Sequence, residues 1–142
     1  MYIERIGNKL MKIIDNLLIN TLYSEAKDSP RKRSHYLLHN SHNDKVQRLL
    51  IGMCKDSFVE PHYHELPHQW ELFFILDGSI ELTLFNNDNK ENNVLILGRE
   101  SGVYSIELPP KQIHSLKCLS DTALLLEIKE GPFDPNFAKK LV

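Results

Sequence analysis

Residues 62–78 read His62-Tyr63-His64-Glu65-Leu66-Pro67-His68-Gln69-Trp70-Glu71-Leu72-Phe73-Phe74-Ile75-Leu76-Asp77-Gly78. A strand sends alternate side chains to opposite faces, so His62 and His64 point the same way and offer two imidazoles to one point, with Tyr63 turned away. Glu71 opens the apolar run Leu72 to Leu76, a second strand that ends in the turn Asp77-Gly78. Its carboxylate supplies a third donor. Two imidazoles and a carboxylate from adjacent strands suit a borderline divalent ion such as Zn, Fe, Mn or Ni. His114 follows Leu108-Pro109-Pro110-Lys111-Gln112-Ile113 as the first residue of a late strand, and it is the fourth candidate because a barrel can fold it back over the first two. His68 sits in the loop beside Pro67 and reads as a solvated surface residue.

The chain around this stretch has 142 residues, which fits one domain large enough to close a core around a small-molecule cavity. Its 17 basic and 19 acidic residues give a net charge of -2, which supplies no global attraction to nucleic acid or anionic lipid. Cys54 and Cys118 are the only cysteines, too few for a disulfide framework, and free thiols point to a reducing cytoplasm. Glu4, Lys9, Lys12 and Asp15 interrupt any signal-peptide core, and no apolar run approaches the roughly 20 residues that span a bilayer.

Residues 1–9 carry no clear period, and Leu10 to Ile14 reads as a short edge strand. Asp15 is placed as an N-cap, with Leu17, Leu18, Leu22 and Ala26 at helical spacing behind it, so the pattern predicts a helix from about Asn16 to Lys27, ended by Ser29-Pro30. From Lys45 onward short apolar segments alternate with turn residues, the pattern of an antiparallel sandwich or barrel. The predicted strands are Val46–Cys54, Glu60–His64, Trp70–Leu76, Ser79–Phe85, Asn93–Leu97, Gly102–Leu108, His114–Cys118 and Ala123–Lys129, with Asn86 to Lys90 as a polar hairpin tip. The fold class is therefore mainly β with one N-terminal helix, the barrel occupying residues 45–130. Trp70–Leu76 is apolar on both faces, so one face lines the interior and the other needs a second sheet or a partner subunit, which predicts a homodimer.

His-x-His, a following Glu, six residues and Gly, then Pro-x-x-x-x-His tens of residues later resemble the two signature motifs of the cupin superfamily, over roughly Val59 to Cys118. The resemblance implies a double-stranded β-helix (jelly-roll) barrel with His62, His64, Glu71 and His114 as metal ligands. Four positions depart from it: Asp56 stands where a glycine precedes the first His, the interval from His64 to Glu71 is long, Val103 and Lys111 replace glycines of the second motif, and Cys118 replaces its terminal Asn. Ser29 to His35, Val46-Gln47-Arg48, Pro61 to His64, Trp70 to Phe73 and Glu127 to Asp134 further resemble the small bacterial cupins of the WbuC family. That resemblance implies a setting in lipopolysaccharide O-antigen or related surface-polysaccharide biosynthesis.

Arg31-Lys32-Arg33 is the only dense basic cluster. It reads equally as a solvated run and as a phosphate contact, for which guanidinium forks are suited. Arg48 lies mid-strand, where a charge needs a partner or an open cavity. Because Gln47 and Arg48 point to opposite faces, only one enters the barrel. Glu127 in an apolar strand must be paired or hydrogen-bonded. These features lead to a metal-dependent enzyme acting on an activated or phosphorylated sugar, with Arg31, Arg33 and Arg48 as substrate contacts. The alternative is a non-catalytic metal-dependent sugar-binding or regulatory protein.

Overall fold

The computed structural model describes residues 2–6, 9–86, 88 and 90–142. Strands β1 (Tyr2–Ile6) and β2 (Lys9–Ile13) pair antiparallel in a two-stranded sheet of their own. The unpatterned N-terminal stretch is thus a strand from Tyr2 to Ile6. Its partner, and not its own composition, makes it one.

Helix α1 (Asn16–Asp28) begins where Asp15 caps it, the carboxylate accepting from the Leu18 amide at 3.0 Å. It ends at Ser29, which is extended as a residue before proline must be. Its buried Leu18, Leu22 and Ala26 form one stripe, and Leu18 and Leu22 pack with Leu50 and Leu124 on the outside of a sheet. Gly52 permits the approach, since a Cβ there would lie 3.0 Å from the Leu22 Cβ.

The remaining strands are β3 (Arg33–Leu37), β4 (Val46–Cys54), β5 (Phe58–Tyr63), β6 (Glu71–Asp77), β7 (Ser79–Phe85), β8 (Glu91–Gly98), β9 (Ser105–Leu108), β10 (Ile113–Cys118), β11 (Thr122–Glu130) and β12 (Lys140–Leu141). They form two five-stranded antiparallel sheets ordered β12-β5-β10-β7-β8 and β3-β4-β11-β6-β9. From Val46 onward strand positions follow the apolar segmentation of the sequence, except that the strand expected from Gly102 starts at Ser105 and β12 lies outside every expected strand. β3, ahead of that pattern, is a further strand outside the expectation and is set by its pairing with β4. Residues 87 and 89 of the expected hairpin tip lie outside the described residues.

Alternation fixes what the sheets enclose. Leu49, Ile51 and Met53 of β4, Phe73 and Ile75 of β6, Ile80 and Leu82 of β7, and Leu116 and Cys118 of β10 share one buried cluster. Full burial of a side chain such as Phe73 contributes about 1.5–3 kcal/mol. The inward row of β11 runs from Ala123 and Leu125 to Glu127, and that of β6 from Ile75 and Phe73 to Glu71. One end of the barrel is therefore apolar, and the other carries its buried charge.

Candidate metal centre

His62 projects inward near the end of β5, His64 follows just beyond that strand, Glu71 opens β6, and His114 lies on β10 directly opposite His62. One donor atom from each of the four lies within 4.8 Å of all the others. His68 is outside this group.

Each imidazole is oriented by a backbone carbonyl. His62 Nδ1 lies 2.7 Å from the Glu60 oxygen, His114 Nδ1 2.9 Å from that of Gln112, and His64 Nδ1 2.6 Å from that of Ala138. A carbonyl only accepts, so Nδ1 carries the proton in all three rings, and Nε2 is the ring atom left to serve as a metal donor at the common centre. Burial, then the neighbouring His114, pushes His62 down to about 4, which keeps it neutral.

His64 Nε2 and His114 Nε2 stand 2.8 and 3.3 Å from Glu71 Oε1, yet all three atoms are buried without a hydrogen-bond partner. Atoms gathered this closely repel one another unless a proton or a metal ion lies among them. Donors about 2.0–2.2 Å from one ion and at right angles to each other are about 3 Å apart, so the spacing fits a transition ion. Burial alone would raise the Glu71 carboxyl, but Glu127, His114 and His64 together hold it well below the usual carboxylate range. Burial and then the neighbouring Glu71 carboxylate hold Glu127 well above it, which favours the protonated form of Glu127 beside Glu71. This is the partner that a carboxyl in an apolar strand required.

A cavity of about 210 Å³ opens from the centre. Phe73, Leu116 and Leu125 line its apolar wall, and Arg31, Arg33, His35, Lys129 and Lys139 line its polar side. Although part of His35 faces solvent, loss of hydration and then the charges of Arg33, Arg31, Lys129 and Lys139 push it down to about 4. None of those four cations lies within salt-bridge distance of a carboxylate among the described residues.

The structure thus brings Arg31 and Arg33 to the cavity but not Arg48, which corrects the expectation for that residue. Arg48 is exposed on the face of β4 that carries Leu50, whereas Gln47 is buried and donates to the carbonyls of Ser41, His42 and Asp44. The loop needs an amide that can satisfy several oxygens, and this decides which of the two turns inward. Lys129 shares a strand face with Glu127, so period two could have found it. Lys139 and the Ala138 carbonyl arrive on a C-terminal segment whose sequence carries no such signal.

A family model described as a domain of unknown function, DUF6016, matches residues 14–97, more than half of the chain. The chain belongs to this family. The matched part of this DUF6016 chain holds α1, His62, His64 and Glu71; His114 and the C-terminal segment lie beyond it. No curated protein matches the sequence.

Among solved structures, the chain is similar to a mutant of Bacillus subtilis oxalate decarboxylase (17% identity, TM-score 0.56), covering 70% of this chain and 24% of that one. It is also similar to the DMSP lyase DddQ from Ruegeria pomeroyi (18% identity, TM-score 0.59, 78% of this chain and 51% of that one). A cupin 2 conserved barrel domain protein from Rhodopseudomonas palustris aligns at 13% identity and TM-score 0.59 over 77% of this chain and 66% of its own. The chain thus spans about a quarter of the decarboxylase and half of the lyase. At such identities the likeness establishes the fold, that of a cupin β-barrel, and it leaves activity to the site itself. No helix among the described residues is long and apolar enough to cross a membrane.

Proposed function

We propose that this cupin holds one divalent transition ion (Zn, Fe, Mn or Ni) on His62, His64, Glu71 and His114 and uses it to bind and transform an anionic sugar. The sugar would be phosphorylated or nucleotide-activated, with Arg31 and Arg33 contacting its phosphate. What supports a setting in the cytoplasmic synthesis of bacterial surface polysaccharide is the resemblance to WbuC proteins alone, and the chain would work as one domain in a homodimer. A bound ion would act as a Lewis acid, polarising a carbonyl or hydroxyl at a coordination position that protein donors leave open.

The observation that carries this reading is the pairing of three converging Nε2 atoms and a carboxylate beside the cavity with four cations around its mouth that pair with no carboxylate among the described residues. Like charges held together repel, and an anionic ligand offsets that repulsion with charge-assisted hydrogen bonds. Phe73, Leu116 and Leu125 exclude water from one side. His35, kept neutral, is the ring placed to exchange a proton with a ligand at the mouth. The competing reading, a non-catalytic sugar-binding or regulatory protein, uses the same ion only as an anchor.

Elemental analysis of the purified protein should find about one such ion per chain. His62→Ala or His114→Ala should lower occupancy sharply, and His68→Ala should not. Calorimetric titration of the metal-loaded protein should show sugar phosphates or sugar nucleotides binding more tightly than matched neutral sugars. Equal affinity for both, or affinity unchanged in the Arg31→Ala, Arg33→Ala double variant, would refute the anionic-ligand reading. Product formation from a bound sugar separates the enzyme from the binding protein.

A further inference from the structure

The metal cavity, at about 210 Å³, is smaller than the roughly 300–1,000 Å³ that enclose a drug-sized ligand. A monosaccharide-sized head with its first phosphate is therefore as much as it can take, and anything attached beyond that phosphate must lie outside. A second cavity of about 280 Å³ adjoins it. The two share Arg31, Arg33 and Lys139 in their walls, so the cations that face the metal cavity on one side face this groove on the other.

Local structure holds this divide in place. Lys32 adopts a left-handed conformation with φ 55°, which turns the chain between its two arginines. The Arg31 carbonyl accepts from the Ser57 hydroxyl at 2.8 Å, and Arg33 donates to the Phe58 carbonyl at 3.1 Å. These bonds tie the arginine segment to the start of β5. Phe58 is 50% exposed and lines the groove together with Glu60 and with Asp56, whose carboxylate also stands 4.0 Å from Lys117. An aromatic face flanked by acceptors, one step beyond a cationic divide, has the composition that receives a base and its sugar hydroxyls.

We propose that this groove is a second subsite that takes the nucleoside of a nucleoside diphosphate ligand. The diphosphate bridges Arg31, Arg33 and Lys139, and the remaining group reaches the metal centre. The proposal rests on the anionic-ligand reading above and narrows it, since a simple sugar monophosphate would leave the groove empty. Phe58 is then the residue that sets preference for the nucleotide, through stacking.

The test compares pyrophosphate with UDP, dTDP, GDP and ADP by calorimetry on the metal-loaded full-length protein and its Phe58→Ala and Phe58→Leu variants. Pyrophosphate carries one more ionisable oxygen than an esterified diphosphate and chelates the ion at least as well, so a nucleoside diphosphate that binds more tightly owes its gain to contacts beyond the phosphates. Comparing parent with Phe58 variant cancels chelation for each probe. At least one nucleoside diphosphate should bind about tenfold or more tightly than pyrophosphate. That gain should disappear in Phe58→Ala and fall in Phe58→Leu, with pyrophosphate affinity unchanged in both. If no nucleoside diphosphate exceeds pyrophosphate, or if the gain survives Phe58→Ala, the subsite is refuted. Pyrophosphate binding that still depends on Arg31 and Arg33 would, in that event, leave the anionic-ligand reading standing. Absence of binding by every probe would overturn both.

Discussion

Lys111 and Asp56 occupy left-handed backbone positions, with φ 70° and 68°, where the family pattern has glycine. The tight turns survive the substitution because tertiary bonds hold them. The Lys111 amide donates to the His64 carbonyl at 2.7 Å, and the Asp56 amide to the Cys118 carbonyl at 3.0 Å. A side chain in this conformation costs roughly 1–2 kcal/mol. Glycine also adds roughly 0.4–1 kcal/mol of freedom to the unfolded chain. Lys111→Gly should therefore stabilise by about 0 to 1.6 kcal/mol, read as a rise of up to a few degrees in Tm by calorimetry. A fall would mean that the lysine side chain itself contributes more than its backbone costs.

His35 reports on the cationic mouth. Its pKa of about 4 lies below the ordinary value of about 6.5. The unfolded chain therefore binds more protons in that window, so stability falls as pH drops from about 6.5 toward 4, by an amount that partial exposure keeps small. An anion seated among Arg31, Arg33, Lys129 and Lys139 favours the charged imidazole, so pyrophosphate should raise the His35 pKa in an NMR titration. The Arg31→Ala, Arg33→Ala variant should raise it without any ligand. A pKa indifferent to both would mean that desolvation alone sets it.

Among the elements, the C-terminal segment is the one that joins distant parts of the centre. β12 pairs Lys140 with Tyr63 and Leu141 with His62; Gln69 donates to the Phe137 carbonyl at 2.6 Å, and Lys140 pairs with Glu65 at 3.1 Å. The other two histidines are held by carbonyls two residues back in the chain, whereas His64 is held by Ala138. A cation on Nε2 makes the Nδ1 proton a better donor, so metal binding and docking of this segment reinforce each other. Chelation of the ion should speed amide exchange in residues 137–141 and leave α1 unchanged, as read by hydrogen-exchange mass spectrometry. Equal exchange with and without metal would uncouple the two.

For the whole molecule, the outer face of β6 is one apolar face that the fold leaves uncovered. Helix α1 lies over Leu50 and Leu124, but Phe74 and Leu76 remain 41% and 44% exposed, with Tyr104 nearby at 52%. Such a row on a sheet face is suited to a second copy of the chain. Sedimentation at micromolar concentration should give a dimer, and Phe74→Lys with Leu76→Lys should give a monomer that still binds metal. A monomeric parent protein would mean that α1 alone gives enough cover.

By itself the sequence determined the mainly β barrel, the capped helix and the donors His62, His64 and Glu71, because each rests on a short-range regularity; His114 joins them only through the pairing of β10 with β5. Alternation set His62 beside His64, apolar segmentation set the strands, and Asp15 with Ser29-Pro30 set the ends of α1. Tertiary structure decided what alternation leaves open. Period two shows that Gln47 and Arg48 face opposite ways, but only the carbonyls waiting beneath Gln47 choose which one turns inward. It also decided which distant segments meet: Tyr2–Ile6 becomes a strand through β2, and Ala138 and Lys139 reach the centre through β12. The physical reason is that backbone hydrogen bonds between remote strands depend little on side-chain identity, so local sequence carries almost no record of them.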